Sequence, residues 1–397
     1  MSTSVTLAPV RDDARDSRSS RAKWLLLLLL LLAVMLALFG LNPPWKKRAI
    51  LPPVVDKPFN GFIDTHIHII SHYMSPTGIS LDPFSALDAA LSTNAFTGAQ
   101  YLITLTPPAD EPHAAEAQVM ENDSLTPMIA KRPDAVSFVA GGSSLNVMLQ
   151  STPVKSVDAK VSKAFEERAL KLLKMGARGF GEMTAEHLSF GRNHPYESVP
   201  PDHPLLLQLA DIAAAHNVPV DLHMEAVQND MSIPPKVPVI FNPTGLKANI
   251  AGFERLLDHN RKARILWAHA GWDNTGDRTV TLMRSLLERH PNLYMSIKFR
   301  ELRGCGSNSQ NQNTPLDAKG MLRTEWLEMF RAYPDRFVIG TDTFFSVPEK
   351  GVTRGRPTLL ARRLLTQLPA DIETRIAWDN ACAIYGLTVK RPQLQSR

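Results

Sequence analysis

Gly61-Phe62-Ile63-Asp64-Thr65-His66-Ile67-His68 carries an apolar strand straight into two histidines. Successive side chains of a strand point to opposite faces, so His66 and His68 share one face while Thr65 and Ile67 take the other. Two imidazoles on one face, at the end of a buried strand, make two legs of a metal site. A lone His-x-His pair also fits exposed or hydrogen-bonded histidines. The rest of the chain decides between the two, by supplying or withholding matching ligands at the ends of later strands.

Working outward, short apolar runs alternate with amphipathic stretches from about Phe59 to Leu387. The strand candidates are Gly61–His66, Tyr101–Leu105, Val136–Ala140, Ala177–Met183, Val218–Met224, Ile265–Ala270, Leu293–Ile297 and Phe337–Thr341. Helical patterns fall between several of them, as at Ala164–Met175, Leu205–His216, Ala251–Asn260, Val280–His290 and Thr324–Tyr333. Strands alternating with helices imply a parallel sheet, and eight such units imply an α/β fold, a single (β/α)8 TIM barrel over residues 59–388. No internal repeat interrupts it.

Catalytic groups of such barrels gather at the carboxyl ends of the strands. Here the first strand ends in His66 and His68, the fourth in Glu182, the fifth contains His223, the sixth His269, and the eighth runs into Asp342. Each is a polar group closing a hydrophobic strand, where burial without a partner is costly. One shared cation would satisfy them all.

This set resembles the amidohydrolase superfamily of metal-dependent hydrolases, and in particular its broad amidohydrolase-related group, which also contains decarboxylases. The likeness rests on His66-x-His68, Glu182, His223, His269, Asp342 and the closing Asn380-Ala381…Tyr385-Gly386. It covers the whole barrel. It departs from the best-known binuclear members at Glu182, where those carry a carboxylated lysine; a glutamate there can bridge two metals or leave a single-metal site. The resemblance implies one or two divalent ions. The nitrogen and oxygen ligands suit Zn2+, with Mn2+ or Fe2+ as alternatives. It implies a small-molecule substrate, with Asp342 as proton carrier and His269 as ligand or polarising donor. The expected reaction is hydrolysis of an amide, ester, lactone or related bond. A single-metal decarboxylase using His66, His68, His223 and Asp342 is the other enzymatic reading, and a barrel without activity the third.

Outside the barrel the chain changes character. The formal charge of +5 arises entirely in the first 48 residues, where eight basic side chains outnumber three acidic ones. The basic excess is therefore no signature of nucleic-acid binding. After a basic tail (1–23), Trp24 to Leu41 is nearly pure Leu, Ala, Val and Met. At ~1.5 Å per residue it reaches roughly 27 Å, enough to cross a ~30 Å hydrocarbon core. The expected arrangement is a single N-terminal transmembrane helix (24–42), a Pro-rich linker (43–58), the barrel, and a C-terminal tail (389–397). A cleaved secretory signal is the alternative, but its apolar region usually runs only about 7–15 residues and ends in a small-x-small site. Five basic residues precede the span and three follow it, which favours a membrane protein with the barrel on the exported side, periplasmic or extracytoplasmic. Homo-oligomerisation is left open.

The remaining candidates read as follows. His72, His113, His187 and His194 fall near the loops of the catalytic face and are expected to be solvated or to stand behind the ligands. His216, His259 and His290 close helices, where a cation suits the last carbonyls. Glu225 shares a strand face with His223 and can orient it. Glu182 has the competing option of pairing with Arg178 or Arg192. Cys305 and Cys382 are too few and too far apart for a disulfide framework.

Overall fold

A computed structural model describes residues 59–75, 78–109, 114–191, 194–299, 313–346 and 356–392. The expected anchor and linker, and Cys305, His113 and Arg192, lie outside them. Among the described residues no helix is long and apolar enough to cross a membrane.

Eight strands close into a parallel barrel. They are β1 (Phe62–Ile70), β2 (Ala99–Leu105), β3 (Val136–Gly141), β4 (Phe180–His187), β5 (Pro219–Met224), β6 (Arg264–Ala270), β7 (Leu293–Ile297) and β8 (Phe337–Ile339). Each pairs in parallel with the next, and β8 returns to β1 with Ile339 opposite Asp64. A further strand, β9 (Thr343–Ser346), lies beside the outer half of β1, with Thr343 opposite Ile67. Helices follow the strands in the expected alternation, among them Ala159–Lys174, Pro204–Ala215, Ile250–His259, Val280–Arg289 and Thr324–Ala332. Their starts are set by local chemistry. Asp158 accepts from Val161 N and Thr279 from Leu282 N, each satisfying a backbone donor that the helix cannot.

Two apolar layers hold the barrel. The outer layer packs Phe62, Ile67, Phe138, Phe180, Leu222 and Trp267 against the helices. The inner one joins Ile63, Ile103, Val139, Leu266 and Val338 to Trp378, Ala381, Ile384 and Tyr385 of the last helical segment, which plugs the amino end. Burying each Ile, Val, Leu or Phe side chain of these layers contributes about 1.5–3 kcal/mol. The plug leaves the carboxyl end as the open mouth.

Two strands run further than their sequence suggests. β1 continues past His66 to Ile70 because β9 gives its outer half a parallel partner. β4 starts at Phe180, later than Ala177, and continues to His187, where Glu197–Ser198 pairs with it antiparallel. The ligand candidates of these strands therefore sit inside the mouth rather than on its rim.

Candidate metal centre

The pairing of β1 with β2 shifts register between Asp64 and Ile67. That irregularity lets Ile63 face the barrel interior in the inner core while His66 and His68, of opposite parity, face inward too. Similar shifts occur around Glu182 on β4 and His269 on β6. Asp342 follows β8 and, like His269, has a left-handed backbone, with φ of 53° and 68° respectively. Non-glycine residues reach that region only where surrounding structure holds them, and they gather at functional sites. Asp342 N is held by His66 O at 2.7 Å.

All six candidate residues meet. His66 donates from Nδ1 to Asp221 Oδ2 (3.2 Å), and His68 from Nδ1 to the Leu105 carbonyl (3.0 Å). These bonds fix the tautomers and leave both Nε2 lone pairs pointing inward. Both Nε2 atoms are buried and make no hydrogen bond. Carboxylate oxygens crowd them: Glu182 Oε2 lies 3.5 Å from each, and Asp342 Oδ1 lies 3.0 Å from His68 and 3.9 Å from His66. On the other side, Glu182 Oε1 stands 2.8 Å from His223 Nδ1 and 3.0 Å from His269 Nε2, which are themselves 3.0 Å apart. Ligand atoms of His66, His68 and Asp342 lie within 4.8 Å of one another, and so do those of His66, Glu182 and His269. Orphaned imidazole lone pairs beside buried carboxylates fit one or more divalent cations.

The electrostatics say the same. Burial alone would depress His66 and raise Glu182, yet the Asp221 and Glu182 charges hold His66 well above the ordinary histidine value. His66, with bonds from His223 and His269, holds Glu182 well below the carboxylate range. Burial likewise opposes the Asp342 charge, but Lys298 and His68 keep it well below. His223 is raised to about 9 against its burial, chiefly by Glu182 and Glu225. Burial, with Lys298 and His223 nearby, pushes His269 well down. Interleaved imidazoles and carboxylates produce these opposed shifts, and a divalent cation binds such groups in their deprotonated forms.

The other sequence expectations sort themselves in space. Arg178 is exposed at the opposite end of β4, so the pairing with Glu182 is not made. The reason is strand length, since Glu182 lies deep among the histidines while Arg178 precedes the strand. Glu225 takes the expected position, 3.9 Å from His223 Nε2, and is itself held by Asn274. His72, His187 and His194 line the cavity, and His259 and His290 pair with carboxylates of neighbouring helices. Three residues were missed. Asp221 buttresses His66, Asp64 clamps Thr341 N (2.9 Å) and Oγ1 (2.6 Å), and Lys298 pairs with Asp342 Oδ2 while standing 4.3 Å over the Trp272 ring. Lys298 was legible, as a charge one residue past β7. Asp221 and Asp64 each lie two residues before a ligand histidine, which is signal only once the barrel is closed.

A cavity of about 620 Å³ opens onto this cluster between Pro107, Phe190, Trp272, Lys298 and Phe344. Among solved structures, an apo protein from Agrobacterium tumefaciens is 16% identical, with a TM-score of 0.46 over 85% of this chain and 100% of that one. The 4-oxalomesaconate hydratase of Rhodopseudomonas palustris is 10% identical, with a TM-score of 0.45 over 82% and 95%. The manganese complex of 5-carboxyvanillate decarboxylase from Novosphingobium aromaticivorans is 13% identical, with a TM-score of 0.38 over 77% and 81%. No curated protein matches the sequence. Residues 63–387, nearly the whole barrel and every candidate ligand, match the amidohydrolase family, and the chain belongs to it.

Proposed function

We propose that the protein is a membrane-anchored, metal-dependent hydrolase that cleaves an amide, ester, lactone or related bond of a small molecule. The observation that carries this reading is the placement of Glu182. One oxygen faces His66 and His68 and the other faces His223 and His269, the disposition of a carboxylate shared by two cations. His66, His68 and Asp342 would hold one ion, His223 and His269 the other, Zn2+ being the best match to the donor set. Bound there, divalent ions supply an acidified water and an electrophile for the scissile group.

The chain's own residues do the rest. Asp342 takes the attacking water's proton and passes it to the leaving group, with Lys298 at Oδ2 keeping the carboxylate ionised beforehand. His269, neutral and oriented by Glu182, serves as ligand or polarises the scissile oxygen. Asp221 and the Leu105 carbonyl keep the two β1 histidines in the ligating tautomer.

One observation favours a second reading, a single-metal decarboxylase: His66, His68 and Asp342 form a complete ligand group without Glu182. Metal analysis of the full-length chain and of Glu182→Gln separates the two. The hydrolase predicts two ions per chain falling to one in the variant; one ion in both returns the lyase. The Leu-rich segment and its flanking charges support a single-pass anchor with the barrel exported. Protease accessibility of the barrel in oriented vesicles tests that.

A further inference from the structure

His187 and His194 stack face to face in the cavity wall, ring centroids 4.4 Å apart and planes 27° from parallel. Their outer bonds differ. His187 Nδ1 lies 2.7 Å from the Pro195 carbonyl, which can only accept, so this nitrogen carries a proton. His194 Nδ1 accepts from the Phe190 backbone N–H at 3.3 Å, so it carries none. His194 is therefore the neutral Nε2–H tautomer, and its Nε2 donates. His187 is buried beside His223, 4.6 Å away edge to face, with no carboxylate in bonding range. In its neutral form its Nε2 accepts. Neither Nε2 is among the buried polar atoms lacking a partner, and among the described residues no hydrogen bond engages either one; both rings line the cavity.

We propose that this pair is a hydroxyl-binding subsite, a donor and an acceptor set side by side to take one neutral –OH of the substrate. A hydroxyl oxygen bonds at about 2.7–3.2 Å to each partner, a reach that lets one group lying against the edges of two stacked rings serve both. A carboxylate or phosphate would meet the His187 lone pair and be repelled, and an ether would leave that lone pair unpaired. Leu188, Phe190 and Pro195 line the same cavity as the pair, so an apolar body that carries the hydroxyl has apolar wall to lie against. Because His187 abuts His223, the hydroxyl is anchored one ring away from the reacting centre. The proposal rests on the cavity being the substrate site, as argued above.

The test reads binding rather than turnover. Benzyl alcohol, benzyl methyl ether and benzoate are titrated into the full-length, zinc-loaded chain by ligand-observed NMR. The alcohol should bind at least about fivefold tighter than the ether, the scale of one net hydrogen bond, and benzoate more weakly still. His187→Phe and His194→Phe keep a stacked ring without its nitrogens and should erase the preference while ether affinity holds. Equal affinities in the wild type, or benzoate as the tightest ligand, would overturn the subsite, and this arm needs no variant to fold. A preference that survives in both folded Phe variants would overturn it as well. Loss of every hydrolytic activity with the alcohol preference intact would sink the proposed function and leave the subsite standing.

Discussion

The two ends of the barrel carry cavities of nearly equal size, about 620 Å³ at the carboxyl mouth and about 660 Å³ at the amino end. Several of their polar groups are in opposite states. At the amino end Arg375 pairs with Asp335 while both stay exposed, at 48% and 62%, and Asn380 donates to the Pro334 and Phe337 carbonyls at 2.8 Å each. These groups are solvated or spoken for. At the mouth, His66, His68 and Glu182 are buried with imidazole lone pairs facing carboxylate oxygens, an arrangement costly to keep without a cation or shared protons. Volume does not mark a functional site here. Buried, convergent, underemployed candidate ligands set the mouth apart.

The comparison is broken most directly at β1. His66→Ala or His68→Ala should leave the barrel folded yet lower metal affinity by more than ~100-fold, above the usual cost of losing a supporting group. Wild-type metal content in either variant, measured on folded protein, would dissolve the contrast between the two ends. At the next level, Asp342→Asn should keep at least part of the metal while turnover falls at least ~100-fold, the scale of a lost general base. Near-normal turnover in the loaded variant removes Asp342 from that role.

A third test compares the burial of single charges. Glu186 is buried behind the mouth, where loss of solvent raises its pKa to about 7 despite the bond from Ser198. A carboxyl raised in the fold contributes stability that is full below its unfolded value of about 4.3 and lost as pH rises through 7. Glu186→Gln should therefore stabilise the protein by about 3.5 kcal/mol above pH 7 and by little near pH 4, in denaturant titrations at both pH values. No gain at high pH would mean the ionised carboxylate is better solvated than its burial implies. The amino end supplies the small effect. Arg375→Ala breaks an exposed pair and should cost under ~1 kcal/mol with unchanged turnover. A larger loss would show that the amino-end cavity holds more than surface charge.

Much of this was legible before any coordinates. Eight apolar runs at αβ spacing announced the barrel, and the ligand candidates could be read off strand ends because the mouth of a barrel collects them. Strand limits were read short at β1 and β4, since the partners that extend them, β9 and Glu197–Ser198, lie far along the chain or pair across a turn. Lys298 was visible as a charge beyond β7 but nothing local tied it to Asp342, 44 residues later.

The sequence by itself determined the alternation of strands and helices, the identity of the candidate ligands, the amidohydrolase membership, and the division between a charged, apolar amino-terminal segment and a neutral barrel. These are properties of local period and residue type, which act through neighbours along the chain. Only the tertiary structure decided which way each side chain faces where the strand register slips at Asp64–Ile67, how Glu182 divides its two oxygens, and which nitrogens His187 and His194 expose. Those depend on hydrogen bonds to carbonyls and carboxylates on other strands and loops. Such partners are brought into range only when the barrel closes, so no pattern within a single segment encodes them.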